Sequence, residues 1–278
     1  MAGNTVRTTP KARALGAELR KAREQSGLGL RAIGELLDTS HTTVSRWETG
    51  ERSPKLEDVA AYLQAVQAPA EAREEILELA REPDGPHWLS IGMPEQPRQM
   101  ATLLEIERDA TSITSVSPLL VPGLLQTAEY TRAIMTTGGV PEEEIDMRVA
   151  VRLGRRNALT RKEPAKLVAY IGESALRQDI GGPEVMSDQL KELLKLSEQS
   201  NVTLRVVPIE TGWHAGLEGP FSLFEVKGRD SVVCVENRVS ALYLHEPTDV
   251  AAYEAALPRV EQVALGAEET TAFIGNLV

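Results

Sequence analysis

From Ala12 the apolar residues Leu15, Leu19 and Ala22 recur at helical spacing, and the run stops at Ser26-Gly27, which predicts a first helix and its end. Leu30, Ile33, Leu36 and Leu37 repeat the pattern as a second helix. Asp38-Thr39-Ser40 interrupts it, and a third helix follows over His41–Thr49. Gly50 suits the C-terminal cap of that helix, and Ser53-Pro54 suits the start of a fourth, whose buried face is Val59, Tyr62, Leu63 and Val66. A fifth, about Ala70–Arg81, carries Ile76, Leu77 and Ala80.

Proline and glycine then crowd the stretch from Glu82 to Pro97, which reads as a linker, with Trp88 suggesting that it docks against something. Beyond it, apolar spacing predicts helices over about 98–115, 124–135 and 142–159. After Pro164 the period shortens. Lys166–Glu173, Val202–Pro208, Phe221–Val226, Ser231–Glu236 and Ala241–His245 read as strands, and 183–199, 247–263 and 267–277 read as helices. The fold class expected is an all-α helix-turn-helix N-terminal domain followed by an α+β domain with a small, mostly antiparallel sheet. The boundaries expected are a flexible arm at 1–11, the helical head at 12–82, the linker at 83–97 and the body at 98–278. Within the arm, Arg7 is a candidate for a minor-groove contact.

Composition narrows the class. Of 278 residues, 42% are hydrophobic and 26% charged, as in ordinary globular proteins. No apolar run approaches the roughly 18 residues of a membrane span, and the first residues lack the apolar core of a signal peptide, so a cytoplasmic protein is expected. Cys234 is the sole cysteine, which excludes an intramolecular disulfide. The net charge of −11 is uneven: residues 1–55 carry +4 and the remainder −15. A weakly basic head on an acidic body can place positive charge on DNA phosphates while the body stays off the backbone.

Helix three has the two faces that a major-groove reader needs. At about 100° per residue, His41, Thr42, Ser45 and Arg46 share one arc, and Val44 and Trp47 lie across from it as core anchors. Arg46 offers a fork to guanine, His41 and Thr42 reach base edges or phosphates, and Ser45 is sized for a phosphate. Ser40 is a suitable N-cap. For an isolated helix these four exposed residues read equally well as a solvated face.

The surrounding stretch GLGLRAIGELLDTSHTTVSRWETGERSPKLEDVAAYL resembles the XRE family of phage-repressor-like regulators, with Val44-Ser-Arg-Trp-Glu-Thr-Gly50 matching its recognition helix. The resemblance implies a double-stranded DNA operator, base contacts from His41, Thr42 and Arg46, and an internal ion pair between Arg23 and Glu48. The chain departs from it at two places, the start of helix two and the turn that follows that helix. Leu30 stands where a glutamine commonly grips phosphate, preceded by Gly29 in place of a polar cap, which leaves Arg31 or Arg52 to supply that contact. Asp38 stands in place of the usual inter-helix glycine.

In the body, Val121-Pro-Gly-Leu-Leu-Gln-Thr-Ala-Glu-Tyr130, Leu104-Glu-Ile-Glu107, the Arg148–Arg156 helix, Glu173-Ser-Ala-Leu-Arg177, Gly182-Pro-Glu-Val-Met186 and Asn201-Val-Thr-Leu-Arg-Val-Val-Pro208 resemble the C-terminal domain of actinobacterial antitoxin-like, WhiJ-type regulators. That likeness implies a small acidic partner protein encoded nearby, with the body as the partner-binding or dimerising part. A homodimer is expected because one head offers a small reading surface. A body that binds a small-molecule ligand is the alternative.

No enzyme is expected. Gly172-Glu-Ser174-Ala-Leu lacks the second glycine of a nucleophile elbow, no phosphate-binding loop follows a strand, and the histidines have no paired metal-ligand spacing. No cofactor or metal is expected. Trp213-His214, in a glycine-rich loop, reads either as a turn or as a pocket lining, and Glu173 is the one carboxylate placed to matter.

Overall fold

The computed structural model describes residues 9–81, 87–91, 97–237 and 240–278. Five helices form the head: α1 (Pro10–Ser26), α2 (Leu30–Leu36), α3 (His41–Glu48), α4 (Leu56–Ala65) and α5 (Ala70–Ala80). Thr9 caps α1 by accepting from the Ala12 amide at 3.0 Å, so the helix takes over the last two residues expected in the arm. Arg7 and the rest of residues 1–8 lie outside the described residues. Leu15, Leu19, Ile33, Val44, Val59, Tyr62 and Leu63 converge in one core. Burying side chains of this size contributes roughly 1.5–3 kcal/mol each.

The elements after the head are β1 (His87–Ile91), α6 (Pro97–Asp109), β2 (Ala110–Ser117), α7 (Ala128–Thr137), α8 (Glu142–Gly154), α9 (Asn157–Thr160), β3 (Lys166–Gly172), α10 (Glu173–Arg177) and α11 (Pro183–Ser197). They continue as β4 (Val202–Val207), β5 (Phe221–Val226), β6 (Val232–Asn237), β7 (Ser240–Leu244), α12 (Pro247–Val263) and α13 (Ala267–Gly275).

The strands form one seven-stranded mixed sheet in the order β1-β7-β6-β5-β2-β3-β4. It is larger than the small sheet expected and is mixed, although most of its pairings are antiparallel as expected. β2–β3 and β3–β4 are parallel, and the other four pairings are antiparallel. Parallel neighbours need helical crossovers, which α7–α9 and then α10–α11 supply. Two strands account for the difference. β2 occupies residues expected to extend α6 to Ser115, and β1 occupies part of the expected linker, where its backbone pairs Trp88 with Tyr243 on the sheet edge.

The pleat sends alternate residues to opposite cores. Ile113, Leu167, Ala169, Ile171, Phe224, Cys234 and Tyr243 meet the face covered by α6, α7, α11 and α13. Val116, Tyr170, Leu223 and Val233 meet α12 on the other face. A helix–sheet–helix sandwich results.

At one end of this sandwich Arg155, just past α8, is fully enclosed against Glu107 of α6: Nη2 lies 2.8 Å from Oε1, and Nε lies 3.1 Å from both carboxylate oxygens. Burial works against the cation, and the carboxylate more than restores it, so the Arg155 pKa stands above its ordinary value. Removing one member of such a pair leaves an uncompensated buried charge. Glu107→Ala is expected to lower stability by about 3–5 kcal/mol, with Glu107→Gln less damaging, as read from denaturant unfolding followed by far-UV circular dichroism. Equal midpoints for wild type and Glu107→Ala would contradict this.

Candidate nucleic-acid interface

The α2–α3 turn closes through three local devices. Asp38 adopts a left-handed φ of 50°, a conformation that Asp tolerates better than most side chains. Ser40 caps α3, its Oγ accepting from the Thr43 amide at 3.0 Å. The amide of Arg52 donates to the Arg46 carbonyl at 3.1 Å, folding the following loop back onto the end of α3.

The inner side of α3 is fixed. Val44 is fully buried and Trp47 nearly so, and α1 approaches so closely that a Cβ on Gly16 would lie 2.6 Å from the Trp47 carbonyl oxygen. Only glycine permits that approach. Glu48 is buried and accepts from Arg23 Nε and Nη2, both at 2.8 Å, and from the Tyr62 hydroxyl at 2.6 Å. Arg20 Nη2 donates to the Glu48 carbonyl at 2.9 Å. The hydrogen bond to Glu48 raises the Arg23 pKa. Burial, aided by the same carboxylate, raises that of Tyr62. Arg23, Glu48 and Tyr62 thus tie α1, α3 and α4 into one unit.

With that side pinned, His41, Thr42 and Arg46 stand exposed on the outer side of α3, and Ser45 is half-buried beside them. Arg31 on α2 and Arg52 in the loop after α3 are also exposed. The six candidate DNA contacts therefore lie on the two helices of the motif and its following loop. Tyr62 and Arg20 escaped notice in the sequence, where Tyr62 read only as a core residue. The available signal was its hydroxyl, since a buried tyrosine requires a hydrogen-bond partner.

The head rests on the body through α1 and α6. Arg20 Nη1 lies 3.7 Å from a Glu105 carboxylate oxygen, and Arg13, buried at this junction, feels the charges of Arg229, Asp109 and Glu105. Burial, followed by Arg229, lowers its pKa to about 10, which leaves it cationic at neutral pH.

In the body, Glu173 accepts from the Ile209 amide at 3.0 Å and from Arg177 Nε at 2.5 Å, and these bonds hold its pKa below the usual value. His214 is buried along a recess of about 130 Å³ that Glu173 and Ser174 also line, whereas the neighbouring Trp213 is 68% exposed. Burial lowers the His214 pKa. No group of three or more potential metal ligands occurs among the described residues.

Glu48→Ala is expected to destabilise the head by about 3–5 kcal/mol, because it strands the Arg23 cation and the Tyr62 hydroxyl. Glu48→Gln, which keeps a partner for Tyr62, is expected to fall between that variant and wild type. Thermal unfolding distinguishes the three, and identical midpoints would show that the triad contributes nothing.

No curated protein matches the sequence. Among solved structures, TrmBL2, described as an archaeal chromatin protein with a novel mode of DNA binding, aligns over 89% of this chain and 98% of its own at 12% identity. Its TM-score of 0.32 is too low to support an argument about fold or function. Residues 14–76 match a helix-turn-helix domain family, in agreement with the geometry of α2 and α3. Residues 100–276, well over half of the chain, match the family described as a domain of unknown function, DUF5753, and the protein belongs to that family as a DNA-binding regulator with a helix-turn-helix head.

Proposed function

We propose that the protein is a sequence-specific transcriptional regulator that reads a double-stranded operator through α3 and is controlled through its body. The observation that carries this reading is the outward display of His41, Thr42 and Arg46 from a helix whose opposite side is immobilised by Val44, Trp47 and Glu48. A side chain held on a rigid helix meets a base edge at little entropic cost, and the Arg46 guanidinium matches the O6 and N7 acceptors of guanine. Ser45, Arg31 and Arg52 are assigned to phosphates, which set register without reading sequence. The acidic remainder, net −15, orients the basic head toward the duplex.

The likeness to antitoxin-like, WhiJ-type regulators supports a small protein partner encoded nearby. A specific observation favours the second reading, a small-molecule effector: the body holds a half-open cavity of about 290 Å³ lined in part by two arginines. The proposal assigns the chain no catalysis and places it in the cytoplasm. Among the described residues no helix is long and apolar enough to cross a membrane.

Arg46→Ala is expected to weaken operator binding by about 1–3 kcal/mol and to relax discrimination at one base pair. Gel-shift titration at fixed salt measures both, and unchanged affinity with unchanged discrimination would remove Arg46 from the reading face. The chain is further expected to bind as a homodimer on half-sites roughly 34 Å apart. A footprint over one half-site, with a monomeric complex by light scattering, would contradict that arrangement.

A further inference from the structure

The cavity in the body lies between the sheet and the helices α6, α7 and α8. Its size is near the lower end of small-molecule sites, roughly ten water molecules' worth of space. Its walls are of two kinds. Ile113, Leu124, Ile134, Leu167 and Phe224 supply an apolar surface. Across the floor runs a polar row that breaks the aliphatic pattern of this sheet face: Ser115 pairs in register with Ser222, and Ser222 with Cys234.

The charged end is built by α8. Arg152 and Arg155, one turn apart, both reach the cavity. Gln126 accepts from Arg152 Nη1 at 2.9 Å and is itself held, its Nε2 donating to the Val121 carbonyl at 2.7 Å. Glu107 engages Nε and Nη2 of Arg155. The remaining nitrogen, Nη1, borders Gly123, where a Cβ would lie 3.0 Å away. Two cations therefore meet two carboxylates, the enclosed Glu107 and Glu236, which is exposed to water at the rim and whose charge acts on both arginines. Burial and then the neighbouring Arg155 depress the Arg152 pKa to about 10, against the pull of Glu236.

We propose that this cavity binds a small organic anion, an apolar body of about ten heavy atoms bearing one carboxylate or phosphate, and that α6 carries its occupancy to the DNA-binding head. The route is short. Glu107 points from α6 into the cavity, while Glu105 and Asp109, on the opposite side of the same helix, face α1 and the β5–β6 turn. Glu105 meets Arg20, which also donates to the Glu48 carbonyl at the end of α3. Asp109 accepts from Arg229 at 2.9 Å. An anion that competes with Glu107 for Arg155 shifts α6, the helix that packs against α1 of the head.

The inference deepens the regulator reading and rests on it for its second half only. Calorimetric titration of the full chain with octanoate, octyl phosphate and octan-1-ol tests the site without DNA. Octanoate or octyl phosphate is expected to bind and octan-1-ol not to, and the stronger of the two anions identifies the head group. Arg152→Gln and Ser222→Leu, which remove the charge and fill the floor respectively, are each expected to weaken anion binding at least tenfold while leaving operator binding intact. Gel shifts on a selected operator test the coupling: the bound anion is expected to weaken affinity about tenfold, and Glu105→Gln to keep anion binding but lose that effect. No heat with either anion, or undiminished binding in both cavity variants, would overturn the site. Anion binding with unchanged operator affinity would overturn the coupling. A chain that binds the anion but selects no operator would overturn the regulator reading and leave the site standing.

Discussion

A carboxylate buried at the C-terminal end of a helix is electrostatically misplaced, because the helix dipole already puts partial negative charge there. Glu48 occupies that position on α3. It is tolerable only because Arg23 and Tyr62 converge on it from α1 and α4. The rotation of α3 follows from this requirement: with Glu48 turned inward beside Val44 and Trp47, the helix geometry sends Thr42 and Arg46 outward, while His41 is exposed as the first residue of the helix. The ion pair is a weak source of net stability and a strong determinant of which face is presented.

The same logic recurs in the body. Glu107 on α6 is enclosed and answered by Arg155, which fixes the end of α8 against α6. α6 then faces two ways, with Glu107 toward the cavity and Glu105 toward Arg20 of α1. The two buried pairs are connected through Arg20, which donates to the Glu48 carbonyl. Head and body thus share a chain of charge contacts in addition to the strand β1, which ties the intervening segment to the sheet edge.

Much of the head was legible in the sequence because its signals agree: helical period, caps at Ser40 and Gly50, and a turn at Asp38 all mark the same boundaries. The body was legible as alternating helix and strand but not as topology. The spacing of Leu103, Ile106 and Ile113 imitates a continuing helix, although Thr111-Ser-Ile-Thr-Ser-Val-Ser117 is rich in the β-branched residues that favour a strand. Missing β2 hid the strand that joins the antiparallel and parallel parts of the sheet, and with it the β2–β3 parallel pairing. β1 was hidden by flanking prolines and glycines that read as a linker. Arg152, Arg155 and Glu107 read as ordinary charged positions on helices, since only the tertiary packing of α6 and α8 on the sheet encloses them.

The central claim is that α3 reads base edges in the major groove. Methylation interference at guanine N7 on a selected operator tests it most directly, comparing wild type with Arg46→Ala. The account predicts that N7 methylation blocks wild-type binding at guanines in each half-site and that Arg46→Ala loses the interference at one of them. Interference confined to minor-groove adenine N3, or a pattern identical in the two proteins, would contradict it.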